Sequence, residues 1–506
     1  MCFIDLTHVC SQKGDVLSRV KLLILLTFFI ISAHAEQAFS PFVSEQYTPH
    51  QVQILNHGSF SLKKRLDMIE AAQNTIEMEY FIFRHDKAGR LILRSLVQKA
   101  SEGVKVRVLF DKFLVKKTMN KYLLAHLKNA GIEVRFFNTL PNIFFNRAQY
   151  RNHRKTLIVD DEKVIIGGRN IGNEYFDMDE NYNFIDRDIF VDGPIAKTVR
   201  QSFDVFWKSE FTKTIDPAKR PEMSRFHHKN EHQQLFQYRS RLRSYEKNMA
   251  KEHEFLYSSE KTSLMIELED FWAGEEFNKR SLNDEFVCDD IGYYSDMPSV
   301  GRKKTDNARV LKYRVFDLIK NAKNNVLIES PYFIMDKDMK KNIKVALSKG
   351  TEVKVLTNGL YSTDAVYVGS RMYDLVRSWL KLGLDLFLIK GSSVKNYPVF
   401  RSIFKKNRWG THAKTIIVDD ETSVIGTYNI DPRSNNYNME HAIVCRNNPA
   451  MAKALKDSVY VRIEDSSRHM TDEETFEKLK FEKVSTGKMF LYYLVKIPSI
   501  IFNHLL

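Results

Sequence analysis

Two short stretches of this chain carry the same four polar residue types at the same spacing. In each stretch a His and a Lys lie two residues apart, an Asp follows the Lys five residues later, and an Asn closes the pattern. The stretches are residues 151–176 and 410–434. The eight positions are His153, Lys155, Asp160, Asn170, His412, Lys414, Asp419 and Asn429. Recurrence at matched spacing indicates shared chemistry, whereas a single His-x-Lys would be read as surface decoration.

The residue types suit chemistry at a phosphate. Residues two apart in an extended segment project to one face, so each His points with its Lys. An imidazole can attack or donate a proton, and an ammonium or an Asn amide can hold phosphate oxygens. An in-line displacement needs an attacking group on one side and a proton donor on the other, so one stretch is half a site and two stretches complete it.

The elements around the two stretches predict an α/β protein. Helical patterns such as FSLKKRLDMIEAAQ are followed by strand patterns such as TIEMEYFIF, and KYRVFDLIKNA followed by NVLIESPYFI repeats this order in the second half. The apolar runs TLIVD and TIIVD are predicted strands that end at Asp160 and Asp419, where each carboxylate is expected to fix a turn rather than touch substrate. A duplicated domain explains the repeated order.

Composition restricts the partners. The formal net charge of the 506-residue chain is +14, which favours an anionic membrane surface or nucleic acid without choosing between them. Residues 1–35 are interpreted as a signal peptide, because basic residues precede the apolar run from Leu22 to Ile31 and Ala33-His34-Ala35 offers a cleavage site.

Cysteine usage gives one further expectation. Cys2 and Cys10 lie within the signal segment, so Cys288 and Cys445 remain in the processed chain. Neither has metal-site spacing. We expect each to be a small core residue rather than half of a disulfide, although an exported protein would allow a bridge between them.

Two segments outside the repeats differ in character. Residues 211–305 are predicted to form a polar helical and loop-like insert, in which His227, His228 and His232 belong to a solvated helix face rather than a metal site. The last twenty residues, GKMFLYYLVKIPSIIFNHLL, are mostly apolar, and Pro498 is expected to interrupt any helix. They either dock on the core or anchor at a membrane interface. Phe144 and Phe145 either face lipid or join the core.

Both stretches match the His-x-Lys-x4-Asp-x6-Gly-x-x-Asn signature and so resemble the phospholipase D superfamily. The phrases GGRNIGNEYF, SPYFI and NIDPRSNNYNME are most similar to its bacterial cardiolipin-synthase-like branch. The resemblance implies two tandem α/β/α sandwich domains related by a pseudo-twofold, with the active site at their interface. They would occupy residues 36–210 and 306–450, with the insert at 211–305 and a C-terminal segment with an apolar tail at 451–506.

The resemblance also implies roles for the repeated residues. His153 would attack to give a phosphohistidine and His412 would act as general acid and base, while Lys155, Lys414, Asn170 and Asn429 would hold the phosphate without a metal or cofactor. Carboxylates would orient the imidazoles, with Glu440 in the family's place behind His412. Asp188 is our choice for the first half and Asp186 the alternative. Thr427 stands where Ser is usual, and Gly168 replaces that Ser in the first half.

The implied activity is phospholipase D-type hydrolysis of phospholipid head groups, releasing phosphatidic acid. The alternative is a cardiolipin synthase that transfers the phosphatidyl group to a lipid alcohol, and a further alternative is an endonuclease. Nucleic acid is disfavoured because no aromatic and basic single-strand groove pattern is seen. We therefore expect an exported, periplasmic or secreted monomer that associates with an anionic membrane surface and acts on phospholipid.

Overall fold

The structure is a computed structural model that describes residues 40–139, 145–225, 231–258, 263–275, 277, 284–301, 306–392, 397–399 and 401–505. Residues 1–35, Phe144, His227 and His228 lie outside these ranges, and so do the predictions made for them. The side chain of Phe145 is likewise not described, whereas the side chain of His232 is exposed on an insert helix.

Within the described ranges, two mixed nine-stranded sheets form the centre of the molecule. In spatial order, with strands numbered along the chain, the first sheet contains β11 (Thr212–Lys213), β5 (Glu133–Phe137), β4 (Lys105–Asp111), β3 (Thr75–Tyr80), β7 (Thr156–Val159), β8 (Lys163–Gly167), β10 (Asp188–Asp192), β2 (His50–Leu55) and β12 (Glu285–Cys288). The second contains β22 (Ser467–Met470), β16 (Asp385–Ile389), β15 (Glu352–Asn358), β14 (Asn325–Glu329), β18 (Thr415–Val418), β19 (Thr422–Gly426), β21 (His441–Arg446), β13 (Asp290–Ser295) and β1 (Val43–Gln46). Two short ribbons pair β6 (Arg151–Asn152) with β20 (Asn438–Met439) and β9 (Tyr182–Ile185) with β17 (Arg408–Thr411).

Helices cover the sheets. Those of the first half are α1 (Gly58–Ala71), α2 (Lys87–Ser101), α3 (Lys112–Val115), α4 (Lys121–Asn129), α5 (Phe145–Ala148) and α6 (Ile195–Lys208), followed by α7 (Glu231–Tyr257) and α8 (Ser263–Ala273) of the insert. Those of the second half are α9 (Val310–Asn321), α10 (Lys337–Ser348), α11 (Val366–Leu380), α12 (Pro432–Asn436), α13 (Pro449–Ser466), α14 (Glu473–Leu479) and α15 (Thr486–Ile501).

The two halves share one topology. In each sheet three parallel strands joined by helical crossovers lie beside an antiparallel hairpin, β7–β8 in the first half and β18–β19 in the second. Gly103 and Gly350 follow matching helices with positive φ angles of 94° and 87°, a conformation that glycine adopts without a steric penalty. The predicted α/β class and duplicated domain are confirmed.

The interface between the halves is apolar. One core cluster contains inward-facing residues of both sheets together with residues of α6 and α13. Ile158 and Ile166 of the first sheet belong to it, as do Ile417 and Ile425 of the second, and all four are buried. Burial of such side chains is the main favourable term in folding, so this shared core holds the two halves in one fixed relation.

The halves exchange edge strands. The chain enters through β1, which pairs with β13 in the second sheet, before forming β2 in the first. Later it forms β12, which pairs with β2, before crossing into β13. Each sheet is therefore completed by a strand that belongs, by chain order, to the other half.

A disulfide lies at this crossing. Cys288 ends β12 and is bonded to Cys445 of β21. Ile291, three residues after Cys288, pairs with Cys445, so the two thiols meet where the chain passes between the sheets. The expectation of two unbonded core cysteines is wrong, although both residues are completely buried.

Two further expectations are corrected. Residues 281–304 of the insert are predicted to be loop-like, but they contain β12 and β13. The strand pattern in the sequence is short, and Asp289 and Asp290 interrupt it. The apolar tail forms α15, which continues through Pro498. This proline lies in the last turn of the helix, where the loss of one backbone N–H donor affects few hydrogen bonds. None of the helices in the described ranges is long and apolar enough to cross a membrane.

Candidate active site

Each histidine of the signature lies just before the first residue of a central strand. His153 and Lys155 connect β6 to β7, and His412 and Lys414 connect β17 to β18. Both histidine side chains are only 8% exposed. The charges of Lys414 and His412 act on His153 across the interface, so the two stretches form one site.

Each imidazole is held by a carboxylate of the other half. Nδ1 of His153 lies 2.8 Å from Oε2 of Glu440, and Nδ1 of His412 lies 2.6 Å from Oδ2 of Asp186. A carboxylate at Nδ1 fixes the orientation and tautomer of the ring and leaves Nε2 to face a substrate. The arrangement therefore presents two oriented imidazoles.

The short ribbons explain this crossing. Because β6 and β20 are parallel and in register, Asn152 pairs with Met439, and the next residues along the two strands are His153 and Glu440. The ribbon of β9 and β17 does the same for Asp186 and His412. Backbone bonds from N of His153 to O of Met439 (3.0 Å) and from N of His412 to O of Ile185 (2.8 Å) complete each ribbon.

The choice of Asp188 is therefore wrong, and the alternative Asp186 is the residue in contact. Asp188 instead binds Arg65 (3.0 Å), Arg169 (3.1 Å) and Ser61 (2.6 Å) inside the first half. Glu440 orients an imidazole, but that of His153 rather than His412. The internal repeat shows that Asp186 is the counterpart of Glu440. N of Gly168 donates to O of Arg187, and at the equivalent place in the second half N of Thr427 donates to O of His441. The residues that precede Arg187 and His441 are Asp186 and Glu440.

The lysines of the signature lie beside the imidazoles, and the two asparagines are buried. Nζ of Lys155 donates to O of His153 at 2.6 Å, and Nζ of Lys414 donates to O of His412. Asn170 is buried, and its Oδ1 accepts a hydrogen bond from N of Ile82 at 3.1 Å. The amide nitrogen of Asn170 does not take part in this hydrogen bond. Oδ1 of Asn429 is buried with no partner among the described residues. Each lysine thus lies against its own histidine, and the roles of all four residues towards a phosphate stay predictions.

The aspartates of the signature lie away from the imidazoles. The carboxylate of Asp160 accepts from the backbone N of Gln73, Asn74 and Thr75 at 2.7–2.8 Å. Asp419 accepts in the same way from residues 323–325 at 2.6–3.1 Å. Both adopt positive φ angles, 55° and 54°. Each aspartate thus fixes the turn after its strand to the start of the neighbouring strand, as expected for a structural role.

Burial and neighbouring charges set the protonation of the imidazoles. Burial, assisted by Lys155, holds the pKa of His153 well below its usual value, so this ring is neutral. Burial and Lys414 also lower the pKa of His412, but Asp186 opposes that shift. The partner carboxylates differ too: burial raises the pKa of Glu440 to about 7, whereas the charges of His412 and Lys414 outweigh burial and lower the pKa of Asp186.

The lysines are also perturbed. Burial lowers the pKa of Lys155 to about 7 and that of Lys414 to about 8. Such values keep an ammonium available near neutrality but not at high pH. Groups with shifted pKa values cluster at functional sites, and here four of them belong to the repeated signature.

The Gly168 and Thr427 difference has a steric cause. In the second half Oγ1 of Thr427 donates to Oε2 of Glu440 at 2.5 Å, and Oγ of Ser434 donates to Oε1 at 2.8 Å. In the first half a Cβ at position 168 would collide with Oδ1 of Asp186. The shorter side chain of Asp186 lies against the backbone of Gly168, whereas the carboxylate of Glu440 accepts a hydrogen bond from the hydroxyl of Thr427.

Sequence reasoning missed several residues that surround the imidazoles. Phe81 makes an edge contact with His153 at 4.9 Å, and Tyr175 and Phe184 contact His412 at 5.3 and 4.9 Å between ring centroids. Arg433, within the NIDPRSNNYNME phrase, lowers the pKa of His153 through its charge. The only sequence signal of Tyr175 and Arg433 was their place in the phrases GGRNIGNEYF and NIDPRSNNYNME, and Phe81 and Phe184 lie outside those phrases.

Within the described ranges no group of three or more His, Cys, Asp or Glu side chains is arranged to hold a metal ion. The cationic donors beside the two imidazoles are the lysines of the signature. What the arrangement can do chemically is covalent transfer at a phosphodiester, with one imidazole attacking and the other protonating the leaving oxygen.

The chain belongs to the family described as "Cardiolipin synthase, PLD-like domain", which matches residues 66–207 and 315–458. Both matched ranges contain one copy of the signature. The chain is thus a phospholipase D-superfamily enzyme with phosphodiesterase and phosphatidyltransferase chemistry.

Individual relatives agree with this assignment. An uncharacterized protein of Helicobacter pylori is 31% identical over 88% of this chain and 86% of its own length. Cardiolipin synthase C of Escherichia coli is 28% identical over 76% of this chain and 81% of its own length. The crystal structure of phosphatidylserine synthase of Haemophilus influenzae covers 90% of this chain and 95% of that chain, with a TM-score of 0.59 and 15% identity, which supports the fold.

Proposed function

We propose that this enzyme is a phosphatidyltransferase of the cardiolipin synthase kind. It would move the phosphatidyl group of one phospholipid onto the free hydroxyl of phosphatidylglycerol. The observation that carries the proposal is the pair of buried imidazoles, each oriented by a carboxylate of the other half. The name of the Escherichia coli relative, a cardiolipin synthase, favours transfer over the hydrolysis to phosphatidic acid that we first expected from the sequence.

The first step forms a phosphohistidine. Neutral His153 attacks phosphorus through Nε2, forming a P–N bond, while the P–O bond to the head-group alcohol breaks. His412, protonated at Nε2, gives its proton to the departing oxygen. Lys155, Lys414 and the two asparagines stabilise the charge on the non-bridging oxygens.

The second step reverses these roles. Nε2 of His412 takes the proton from the hydroxyl of the acceptor lipid, the oxygen attacks phosphorus, and the P–N bond to His153 breaks. The electrostatic asymmetry supports this assignment. Asp186, with its lowered pKa, stays anionic and stabilises the imidazolium of His412, whereas the carboxyl of Glu440 has a pKa of about 7.

The surroundings of the site favour an alcohol over water as acceptor. The rings of Phe81, Tyr175 and Phe184 lie against the two imidazoles, and little of either imidazole is accessible to solvent. A site that excludes water protects a reactive intermediate from hydrolysis until the intended acceptor arrives.

Product analysis tests the proposal. The purified protein is incubated with phosphatidylglycerol vesicles in the presence of a chelator, and lipids are separated and identified by mass spectrometry. We expect cardiolipin and one glycerol for each cardiolipin formed, and no product with His153→Ala. Phosphatidic acid as the main product, at all lipid concentrations, would replace transfer by hydrolysis.

We also propose that the protein is exported to an oxidising compartment. The bridge between Cys288 and Cys445 supports this, because disulfides persist in such compartments and are rare in reducing ones. Thiol alkylation of cell fractions, without and with prior reduction, checks it: both cysteines should be protected before reduction, and free thiols in the native cell would contradict export.

A further inference from the structure

The exposed face of the C-terminal helix α15 is apolar. Its outward side chains follow helical spacing and include Phe490 (70% exposed), Tyr493 (61%), Leu494 (61%) and Ile497 (69%). Ile500, Ile501 and Phe502 continue the same face and are also exposed. A contiguous apolar surface of this kind on a soluble protein marks an interaction site.

The charged side chains of the helix point the other way. Nζ of Lys488 donates to O of Tyr361 at 3.1 Å and to O of Thr363 at 2.7 Å. Nζ of Lys496 pairs with Asp374 of α11 at 3.3 Å. In a surface helix of a soluble protein the polar face meets water and the apolar stripe meets the core. In α15 the arrangement is reversed: the lysines contact the rest of the protein and the apolar side chains are exposed. This is the arrangement expected for a helix whose outer face lies in an apolar medium.

The helix is fixed to residues that act on the active site. Lys488 holds the loop that carries Asp364, and the charge of Asp364 acts on His412 and Lys414. Just beyond the other end of the helix, O of Leu505 accepts from Nη1 of Arg433 at 3.0 Å. Tyr492 is buried in the second-half core, so the helix cannot swing freely.

Basic residues accompany exposed apolar ones at one place in each half, near the histidine stretches in the chain. On the first-half side Phe113 and Leu114 of α3 are exposed beside Lys116 and Lys117, and Arg151, two residues before His153, stacks on Phe113 at 4.5 Å. On the second-half side Ile403 is exposed beside the exposed Lys405 and Lys406. The guanidinium of Arg408, two residues on, lowers the pKa of Lys488 at the start of α15.

We propose that the outer face of α15 lies in the head-group and upper acyl region of an anionic phospholipid bilayer and holds the mouth of the active site against that surface. Apolar and aromatic side chains enter the interface, while the flanking lysines attract anionic lipids. A second copy of the chain fits this surface less well, because in a twofold pair the basic residues of one copy would face those of the other. The orientation of the site towards lipid rests on the proposed function, whereas the attachment itself does not.

Vesicle sedimentation of the full chain tests the attachment. The outer-face variant combines Phe490→Ser, Leu494→Ser and Ile497→Ser, and the matched control is Phe236→Ser, an equally exposed aromatic residue on the insert helix α7. On vesicles of equal phosphatidylglycerol and phosphatidylcholine we expect the outer-face variant to bind about 100-fold more weakly and the control to bind like the parent. The parent should bind pure phosphatidylcholine vesicles much less. Equal binding of parent and outer-face variant would overturn the inference.

A second measurement does not depend on the folding of the triple variant. A polarity-sensitive fluorophore is attached to Tyr493→Cys or to Phe236→Cys in a chain where Cys2 and Cys10 are replaced by serine. Anionic vesicles should shift the emission to the blue at position 493 and leave that at 236 unchanged. No shift at 493 would overturn the inference. A shift caused by protein concentration alone, together with a dimer in light scattering, would assign the face to a second copy and would also overturn it.

Activity separates this inference from the proposed function. On a short-chain phosphatidylglycerol below its micelle concentration, the outer-face variant should match the parent within about twofold, whereas its activity on vesicles falls with its binding. If the parent transfers no phosphatidyl group but still binds vesicles through α15, the proposed function fails and the attachment stands. If transfer on vesicles is unaffected by the triple substitution, the attachment fails and the function stands.

Discussion

Glu440 of the second half holds the imidazole of His153 in the first half, with 2.8 Å between Oε2 and Nδ1, and Asp186 holds His412 in the reciprocal way. Neither half contains a complete orienting pair. The catalytic geometry therefore depends on the register of the two short ribbons and on the shared apolar core.

Replacing Asp186 should affect turnover, and replacing Asp188 should affect folding. Asp186→Asn removes the anion that stabilises imidazolium at His412, so we expect kcat to fall roughly 10²–10⁴-fold with the melting temperature little changed. Asp188→Asn leaves Arg65 and Arg169 buried without their carboxylate and should cost about 3–5 kcal/mol of unfolding free energy. Steady-state kinetics and urea denaturation measure the two effects. An Asp188→Asn protein that folds normally but is inactive would reverse the assignment.

The nucleophile can be identified by trapping the intermediate. With a phosphodiester whose leaving group is p-nitrophenol, protonation of the departing oxygen matters little. His412→Ala should then still form a covalent adduct, which mass spectrometry places on His153, and should resolve it slowly. His153→Ala should form none. An adduct on His412 in the His153→Ala protein would exchange the two roles.

The difference between Gly168 and Thr427 should make the two positions unequally tolerant. Thr427→Ser keeps the hydroxyl that Glu440 receives and should retain activity within about threefold. Gly168→Ser forces a side chain against the carboxylate of Asp186 and should displace it, lowering kcat at least about 10-fold and stability by about 1–3 kcal/mol. The two serine variants are compared in one assay. Equal activity would mean that Asp186 moves without consequence.

Activity should decline on the alkaline side near neutrality. The pKa values of Lys155 and Lys414 are lowered to about 7 and about 8, so their ammonium charges are present below these values and are lost as pH rises through them. The general acid His412 must also be protonated, and its pKa is lowered from the usual value, so its loss of a proton contributes to the same decline. We therefore expect kcat/KM to fall as pH rises through neutrality and to continue falling to about pH 9. His153 stays neutral, and so able to attack, to well below pH 6.5. We therefore expect the acid-side fall of kcat/KM to occur only well below that pH. Lys155→Arg should move the alkaline limb upward; a profile that is flat to pH 9 in the parent would refute the assignment.

Loss of the bridge between Cys288 and Cys445 should destabilise the whole protein. Replacing both cysteines by alanine releases a crosslink between the two sheets, and removal of a native disulfide typically costs about 2–5 kcal/mol. The urea midpoint should fall to the same value in the reduced parent and in the double variant, and reductant should not change the variant further. Identical midpoints for the oxidised parent and the double variant would show that the bridge contributes nothing.

The sequence was sufficient for most of the elements and for the two repeated stretches because both depend on local pattern, whereas β12, β13 and the uninterrupted α15 were not predicted. Strand alternation, helix breaks at Gly103 and Gly350, and the repeated His-x-Lys spacing are all visible within short windows. The pairing of Glu440 with His153 is not local, since it arises from the register of β6 against β20. The bond between Cys288 and Cys445 escaped prediction for the same reason: it depends on where β12 crosses into the neighbouring sheet.

β1 pairs in the second sheet and β12 pairs in the first, so the two sheets exchange edge strands. The same arrangement is found in a domain-swapped dimer, here with both protomers in one chain. A cut in the insert, between α7 and α8, would leave an N-terminal fragment carrying the edge strand of the other sheet and a C-terminal fragment carrying its counterpart. Each fragment would hold what the other lacks. The two pieces should therefore reassemble as a complementing pair, while either one alone would present an open sheet edge to its neighbours.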